Sequence, residues 1–201
     1  MNKKLIITIG REYGSGGHAI AEQLSKDLNI PMYDKNILAI ASDRSGISKE
    51  RLESEDEHMA NPFFEPYIPY GIDTGSLSDR LFLAQSEIIK EKANAGSCIF
   101  VGRCSDVVLE NFDNAYHFYI YAAQKDRIAR IMEVEDIAED MAALKIIKKM
   151  DKQRRSYYQF YTERKWGSCE GKDLMINSSS LGIDGSAALI KAFLVQKGYE
   201  F

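Results

Sequence analysis

The stretch of sequence that decides the fold is Leu5-Ile6-Ile7-Thr8-Ile9-Gly10-Arg11-Glu12-Tyr13-Gly14-Ser15-Gly16-Gly17-His18-Ala19-Ile20-Ala21. Its apolar start predicts a short buried strand, its glycines predict a turn, and the apolar spacing after them predicts an amphipathic helix to about Leu28. The N–H groups in the first turn of such a helix lack intrahelical partners, and the helix dipole favours negative charge there. The stretch therefore predicts a binding site for phosphate.

The loop differs from the common phosphate-binding pattern in its last residues. That pattern ends Gly-Lys-Ser/Thr, in which the lysine contacts the outer phosphates and the hydroxyl binds Mg²⁺. Here Gly16 is followed by Gly17 and His18. His18 could contact a phosphate or be an ordinary residue at the start of a helix. Glu12 could bind a metal ion through water or pair with Arg11.

Composition limits the possible functions. With 201 residues and 45% hydrophobic content, the chain can bury a full core, and one domain is expected. A formal net charge of −4 gives no general attraction to nucleic acid or to anionic membranes. The three cysteines form no CxxC pair and suggest free thiols in a reducing compartment. No run approaches the roughly 18 apolar residues of a membrane span, so a cytoplasmic protein without nucleic-acid or membrane partners is predicted.

Apolar strand-like runs alternate with helical patterns along the rest of the chain. Further strands are predicted at 30–34, 98–102, 115–121 and 173–177, and helices at 35–45, 77–95, 105–109, 125–134, 137–162 and 185–199. A charged segment near Ser48 resembles a helix start. Such alternation indicates an α/β fold, a mostly parallel sheet with helices on both faces.

Residues 60–76 contain three of the four prolines among several aromatic residues. Because proline fixes φ and removes a hydrogen-bond donor, regular structure is not expected there. Such a long segment is either a lid or binding loop, or a surface excursion whose aromatic residues pack locally.

Three markers fall where predicted strands end. They are the glycine-rich turn, Asp34, and Gly102-Arg103. In parallel sheets ligands bind beyond the carboxyl ends of the strands, so the three markers predict one common site. Asp34 could hold a substrate hydroxyl, act as a base, or cap the helix after it.

Arginines would supply the positive charge that phosphate recognition needs. Arg103 follows a buried strand, and Arg127 and Arg130 share one helix. Asp151, Arg154, Arg155 and Tyr158 recur at three- and four-residue spacing on another helix and should share a face. The helical arginines could instead form ordinary surface ion pairs, such as Asp151 with Arg155.

The chain resembles the nucleoside monophosphate kinases of the P-loop superfamily, and above all the cytidylate-kinase-like proteins of bacteria. The resemblance covers nearly the whole length. It is carried by residues 10–21, Tyr33-Asp34, Val101-Gly102-Arg103-Cys104, residues 127–130, residues 151–158, Tyr161-Thr162, Trp166-Gly167 and residues 173–178.

This resemblance implies a single domain over 1–201, with a five-stranded parallel sheet, an acceptor-binding insertion at 35–95 and a helical lid at 123–167. ATP or another nucleoside triphosphate would be the donor, with Mg²⁺, and a nucleoside monophosphate such as CMP would be the acceptor. The donor would bind Tyr13, Gly14, Ser15, Gly16, Gly17 and His18. The acceptor would meet Asp34, Arg103 and Tyr158, and the catalytic side chains would be Arg11, Arg127, Arg130, Arg154 and Arg155.

The chain departs from true cytidylate kinases at several positions. Gly17 and His18 stand where those enzymes have lysine and then a glycine or hydroxyl residue, Cys104 stands for aspartate, and Val101 for an acidic residue. Arg11 or a lid arginine would have to replace the lysine. Two other interpretations are therefore a nucleotide- or phosphate-binding module with lost or altered catalysis, and a kinase for another small metabolite. A third is an interaction protein that keeps only the fold.

Overall fold

The structure, a computed structural model, describes residues 3–34, 36–45 and 77–201. The helix start near Ser48 and the segment 60–76 lie outside the described residues. The described strands are β1 (Ile6–Arg11), β2 (Met32–Tyr33), β3 (Cys98–Val101), β4 (Ala115–Tyr121) and β5 (Leu174–Asn177). The described helices are α1 (Gly17–Leu28), α2 (Asn36–Ser45), α3 (Leu77–Ala95), α4 (Ser105–Val108), α5 (Gln124–Val134), α6 (Asp140–Thr162) and α7 (Ser178–Gln196).

The five strands form one sheet in the order β2-β3-β1-β4-β5, and every neighbouring pair is parallel. The five-stranded parallel sheet is therefore confirmed. β1 lies at its centre, with Ile9 opposite Val101 of β3 and opposite Phe118 of β4. This register brings the carboxyl ends of β1, β3 and β4 to the same edge.

Alternate residues of β1 face opposite sides of the sheet. Ile7 and Ile9 pack in a core cluster with residues of α1 and α7, whereas Ile6 packs in a second cluster with residues of α2 and α3. All three side chains are fully buried. Helices thus cover both faces, which explains why the central strand is apolar almost throughout.

Two helix starts differ from the prediction. A helical segment already begins at Ser178, where the Asn177 side chain accepts a hydrogen bond from Ser179 N at 3.0 Å and caps it, and the non-helical Gly182 separates this segment from the helix predicted from 185. The serine-rich first turn and a non-helical Gly182 concealed this start. The long helix begins at Asp140, not at 137, after a left-handed residue at Asp136.

No helix within the described ranges is both long enough and apolar enough to cross a membrane.

Candidate active site

The chain between β1 and α1, residues 12–16, is called the glycine loop here. Its two glycines, Gly14 and Gly16, have φ of 77° and 81°. Those values lie in the left-handed region, which glycine adopts without the steric cost of a Cβ. Ser15 is fully buried and its hydroxyl donates to Glu12 O at 2.8 Å, while Ser178 donates to Ser15 O at 2.6 Å. These contacts fix the loop from within, and α1 then begins at Gly17.

Arg11 passes directly over the first residue of α1. A Cβ built on Gly17 would lie 2.6 Å from Arg11 Cβ, so the arginine fills the space where a side chain at position 17 would begin. Its guanidinium continues to Gly102, where an added Cβ would overlap Nη1. Its Nη2 lies 3.8 Å from Asp34 Oδ1. Arg11 therefore carries its charge from the glycine loop toward the ends of β2 and β3.

His18 and Asp34 form a hydrogen-bonded pair at the start of α1. His18 Nδ1 lies 2.9 Å from Asp34 Oδ2, and Nε2 lies 3.3 Å from Glu22 Oε1. The hydrogen bond with Asp34 outweighs partial burial and raises the pKa of His18. Burial alone would raise the pKa of Asp34, but the hydrogen bond with His18 and the charges of Arg11 and Arg103 outweigh it and lower that pKa. The arrangement favours an imidazolium beside a carboxylate.

Arg103 is buried at the end of β3, with 5% of its surface exposed. Gly102, Arg103 and Cys104 follow one another with φ of 74°, 57° and 53°. Consecutive left-handed residues other than glycine are uncommon and cluster at functional sites. The Nε of Arg103 donates to Asp34 O at 3.1 Å. The two strand-end markers predicted from the sequence are thus in direct contact.

The two arginines of α5 have different surroundings. Arg130 lies over the glycine loop, where Nη1 donates to Gly14 O and Cζ would lie 3.4 Å from a Cβ on Gly16. Arg127 lies beneath it and is bonded to Tyr13 O, Glu12 and Asp151. Of the two alternatives for Glu12, the structure gives an ion pair, but with Arg127.

The predicted face of α6 divides among three places. Arg154 Nη1 lies 3.4 Å from Arg11 O, and its guanidinium lies 5.2 Å from the centre of the Tyr13 ring. Arg155 lies instead 5.8 Å from the centre of the Trp166 ring, in a separate cleft beside β4 and β5. Tyr158 donates to Asp106 Oδ2 at 2.7 Å. Helical spacing alone did not distinguish these directions.

One cleft of about 570 Å³ collects most of the predicted site, and we call it the arginine cleft. Ligand pockets in proteins commonly measure about 300–1,000 Å³. Its lining includes Gly14, Gly16, Gly17, His18, Asp34, Arg11, Arg103, Arg130 and Arg154. A phosphate-rich ligand would fit both its size and its charge.

A second, smaller space adjoins the arginine cleft, and we call it the inner cavity. It shares Arg11, Arg103 and Arg154 with the cleft and reaches Tyr158. Lys172 also lines it and binds Asp106 Oδ2 at 2.6 Å. The sequence offered no signal for Lys172 or Asp106, because neither belongs to a recognisable pattern. Arg127 and Arg155 do not line either space.

A model of the cytidylate kinase-like family matches residues 6–180, a range that includes the glycine loop, Asp34 and every arginine described above. This chain belongs to the cytidylate kinase-like family. No protein of curated function matches the sequence.

Solved structures share the fold of this chain. The cytidylate kinase-like chain is 30% identical to an uncharacterized protein from Eubacterium ventriosum ATCC 27560, with a TM-score of 0.74 over 94% of this chain and 98% of the other. It also resembles shikimate kinase from Bacteroides thetaiotaomicron at 11% identity and a TM-score of 0.56, over 96% and 99% of the two chains. Shikimate kinase from Acinetobacter baumannii, solved with shikimate, gives 10% identity and a TM-score of 0.54, over 96% and 94%. The two shikimate kinases support the fold alone.

Proposed function

We propose that this cytidylate kinase-like protein transfers the γ-phosphoryl group of a nucleoside triphosphate, ATP with Mg²⁺, to a nucleoside monophosphate, with CMP as the first acceptor to test. The observation that carries the proposal is the arginine cleft. Four arginines, Arg11, Arg103, Arg130 and Arg154, line it together with the glycine loop and the start of α1.

Phosphoryl transfer asks little covalent chemistry of a protein. It needs the donor held, the acceptor aligned, and the negative charge of the transferred group neutralised. A glycine loop at a helix N-terminus meets the first need, and arginines within one cleft meet the last. The chain as a whole is acidic, with a formal net charge of −4, so the four arginines of this cleft are a local concentration of positive charge and not part of a general excess.

On the donor side, we assign the role of the absent loop lysine to Arg130. Its guanidinium already lies against Gly14 and Gly16. Arg11 is less suited to that role, because its guanidinium is directed toward Gly102 and Asp34. Arg154 would add a further positive charge to the lining of the arginine cleft, from α6. Arg155 would need a change in the position of α6 to join them.

Mg²⁺ usually binds proteins through one or two carboxylates, with water and substrate phosphates filling the other positions. The Asp34 carboxylate lines the arginine cleft and fits that pattern. His18 replaces the usual hydroxyl ligand and is bonded to Asp34. Within the described ranges no group of three or more metal-ligating side chains occurs. Mg²⁺ would neutralise charge on the donor phosphates.

On the acceptor side, Arg103 and Arg11 would bind the monophosphate. They line both the arginine cleft and the inner cavity, so an acceptor phosphate between them would lie where the two spaces meet. A coupled assay with ATP and Mg²⁺ against CMP, UMP, AMP and GMP tests the proposal. Turnover with any of them supports it, and folded protein that turns over none contradicts it.

A second candidate is a kinase for a small metabolite with a hydroxyl group, and the position of the Asp34 carboxylate in the lining of the arginine cleft favours it. A monophosphate acceptor is already ionised at neutral pH, whereas a hydroxyl must lose a proton as it attacks phosphorus. Asp34 could accept that proton. ADP release that depends on a hydroxy acid or sugar, and on no nucleoside monophosphate, would support this candidate.

The interpretation of the chain as a nucleotide- or phosphate-binding module without catalysis predicts a different result. Calorimetry would then detect tight binding of ATP, while no acceptor in either panel would be phosphorylated.

A further inference from the structure

One buried arginine joins the glycine loop to both helices packed over it. Arg127 is 8% exposed. Its Nε donates to Tyr13 O at 2.7 Å, its Nη1 lies 3.2 Å from Glu12 Oε2, and its Nη2 donates to Asp151 Oδ2. Every nitrogen of the guanidinium therefore has a partner within the protein.

Asp151 completes the arrangement from α6. Its second oxygen, Oδ1, accepts the backbone N–H of Tyr13 at 2.8 Å. Arg127 and Asp151 thus hold Tyr13 by its C=O and by its N–H. Glu12 extends the network to the end of β4, because its Oε2 also accepts from Ala122 N at 3.2 Å.

These contacts with Tyr13 fix the direction of the next backbone N–H in the loop, that of Gly14. In a planar trans peptide, the C=O of one residue and the N–H of the next point in opposite directions. The described chain contains no cis peptide bond. Because the C=O of Tyr13 points at Arg127, the N–H of Gly14 points away from it. Gly14 itself lines the arginine cleft.

We propose that Arg127 and Asp151 are a positioning pair that directs the Gly14 amide at a donor phosphate, and that Arg127 does not contact the transferred phosphoryl group. Moving Arg127 onto a phosphate would leave two partly buried carboxylates, those of Glu12 and Asp151, without their shared cation. Breaking a buried pair in that way is strongly unfavourable. The ligand in this assignment rests on the proposed function, whereas the control of the loop by the pair does not.

Hydrogen–deuterium exchange tests the control of the loop without any ligand. Asp151→Asn keeps the shape of the side chain but removes the charge that binds Arg127. We expect the amides of residues 12–16 to exchange several-fold faster than in the wild type, as local stability falls. Asp27→Asn is the matched control, because Asp27 pairs with Lys191 away from the loop. Unchanged exchange in folded Asp151→Asn would overturn the proposal.

Calorimetry with ATP and ADP then tests whether Arg127 and Asp151 position the glycine loop or whether Arg127 contacts the transferred phosphoryl group. A loop that holds the donor through transfer must bind phosphates that ATP and ADP share. Arg127→Lys and Asp151→Asn should therefore weaken the binding of ATP and of ADP by a similar factor, about tenfold for a residue within one hydrogen-bond network. Loss of ATP affinity with unchanged ADP affinity would overturn the proposal.

The two measurements also distinguish the possible failures. If wild-type protein binds neither nucleotide, the proposed function fails, and the exchange experiment still decides the role of the pair. If Arg127→Lys does not fold, Asp151→Asn gives the same comparison of ATP with ADP.

Discussion

Arg11 and Gly17 share one space at the start of α1, since a Cβ on Gly17 would lie 2.6 Å from the Cβ of Arg11. A lysine at position 17 and the present conformation of Arg11 therefore exclude each other. In the common pattern Gly-x4-Gly-Lys-Ser/Thr, Arg11 stands in the place of the first glycine and Gly17 in the place of the lysine, so the departure from that pattern is a coupled change at two positions. It leaves the loop without its lysine, and it places a guanidinium beside Gly102 and Asp34.

Restoring the lysine should therefore fail unless Arg11 is also changed. We expect Gly17→Lys to lower the free energy of unfolding by about 1–3 kcal/mol, the usual range for overpacking. Adding Arg11→Gly should recover most of that loss, which urea unfolding would measure. Gly96→Lys is the matched control and should change stability by less than about 0.5 kcal/mol, because a Cβ at Gly96 meets no atom within 4 Å. Equal losses in the single and double variants would contradict the coupling.

Arg103 should be needed for transfer more than for folding. If its contact with the acceptor strengthens in the transition state, Arg103→Ala should reduce kcat/KM about 100-fold or more, or about 3 kcal/mol. Steady-state kinetics with the best acceptor would measure this. Arg164→Ala is a suitable control, since Arg164 is half-buried and pairs with Glu110 outside the arginine cleft. Wild-type kinetics for Arg103→Ala would remove this residue from the site.

Arg154 and Arg155 are adjacent in sequence and provide a matched pair. Arg154 lines the arginine cleft, whereas Arg155 lies on Trp166. We expect Arg154→Gln to reduce kcat at least about tenfold more than Arg155→Gln, because only Arg154 is within the cleft before any movement. Equal losses in kcat would instead indicate that α6 moves during the reaction and brings Arg155 into contact with substrate.

Much of the fold could be predicted because its strands are buried apolar runs bounded by helical patterns. The common site could be predicted for a similar reason: Asp34 and Arg103 follow strands, and parallel strands end at one edge. The direction in which each arginine side chain points could not be predicted from the sequence. Spacing assigns Arg127 and Arg130 to one helix, but only the packed structure shows that Arg127 is enclosed by Glu12 and Asp151 while Arg130 lies on the loop.

The His18–Asp34 pair should make stability depend on pH in a defined window. The hydrogen bond with Asp34 raises the pKa of His18, so its contribution is complete below its usual value of 6.5 and is lost as pH rises through the folded value. Asp34 has a lowered pKa, so its contribution is present above 3.8 and is lost as pH falls through its folded value. The pair should therefore stabilise the protein most between these two usual values.

His18→Asn should accordingly lower the free energy of unfolding near pH 5.5 and have less effect near pH 8. The effects at the two pH values should differ by roughly 1 kcal/mol or less, because His18 is 53% exposed. Urea unfolding at both pH values measures the difference. Asp34→Asn should remove most of this pH dependence, whereas Glu22→Gln should retain it, because the bond with Asp34 is the largest cause of the raised pKa and Glu22 is a smaller one. A difference between wild type and His18→Asn that is the same at both pH values would mean that the imidazolium is not favoured by folding. His18 would then stand beside Asp34 as a neutral donor.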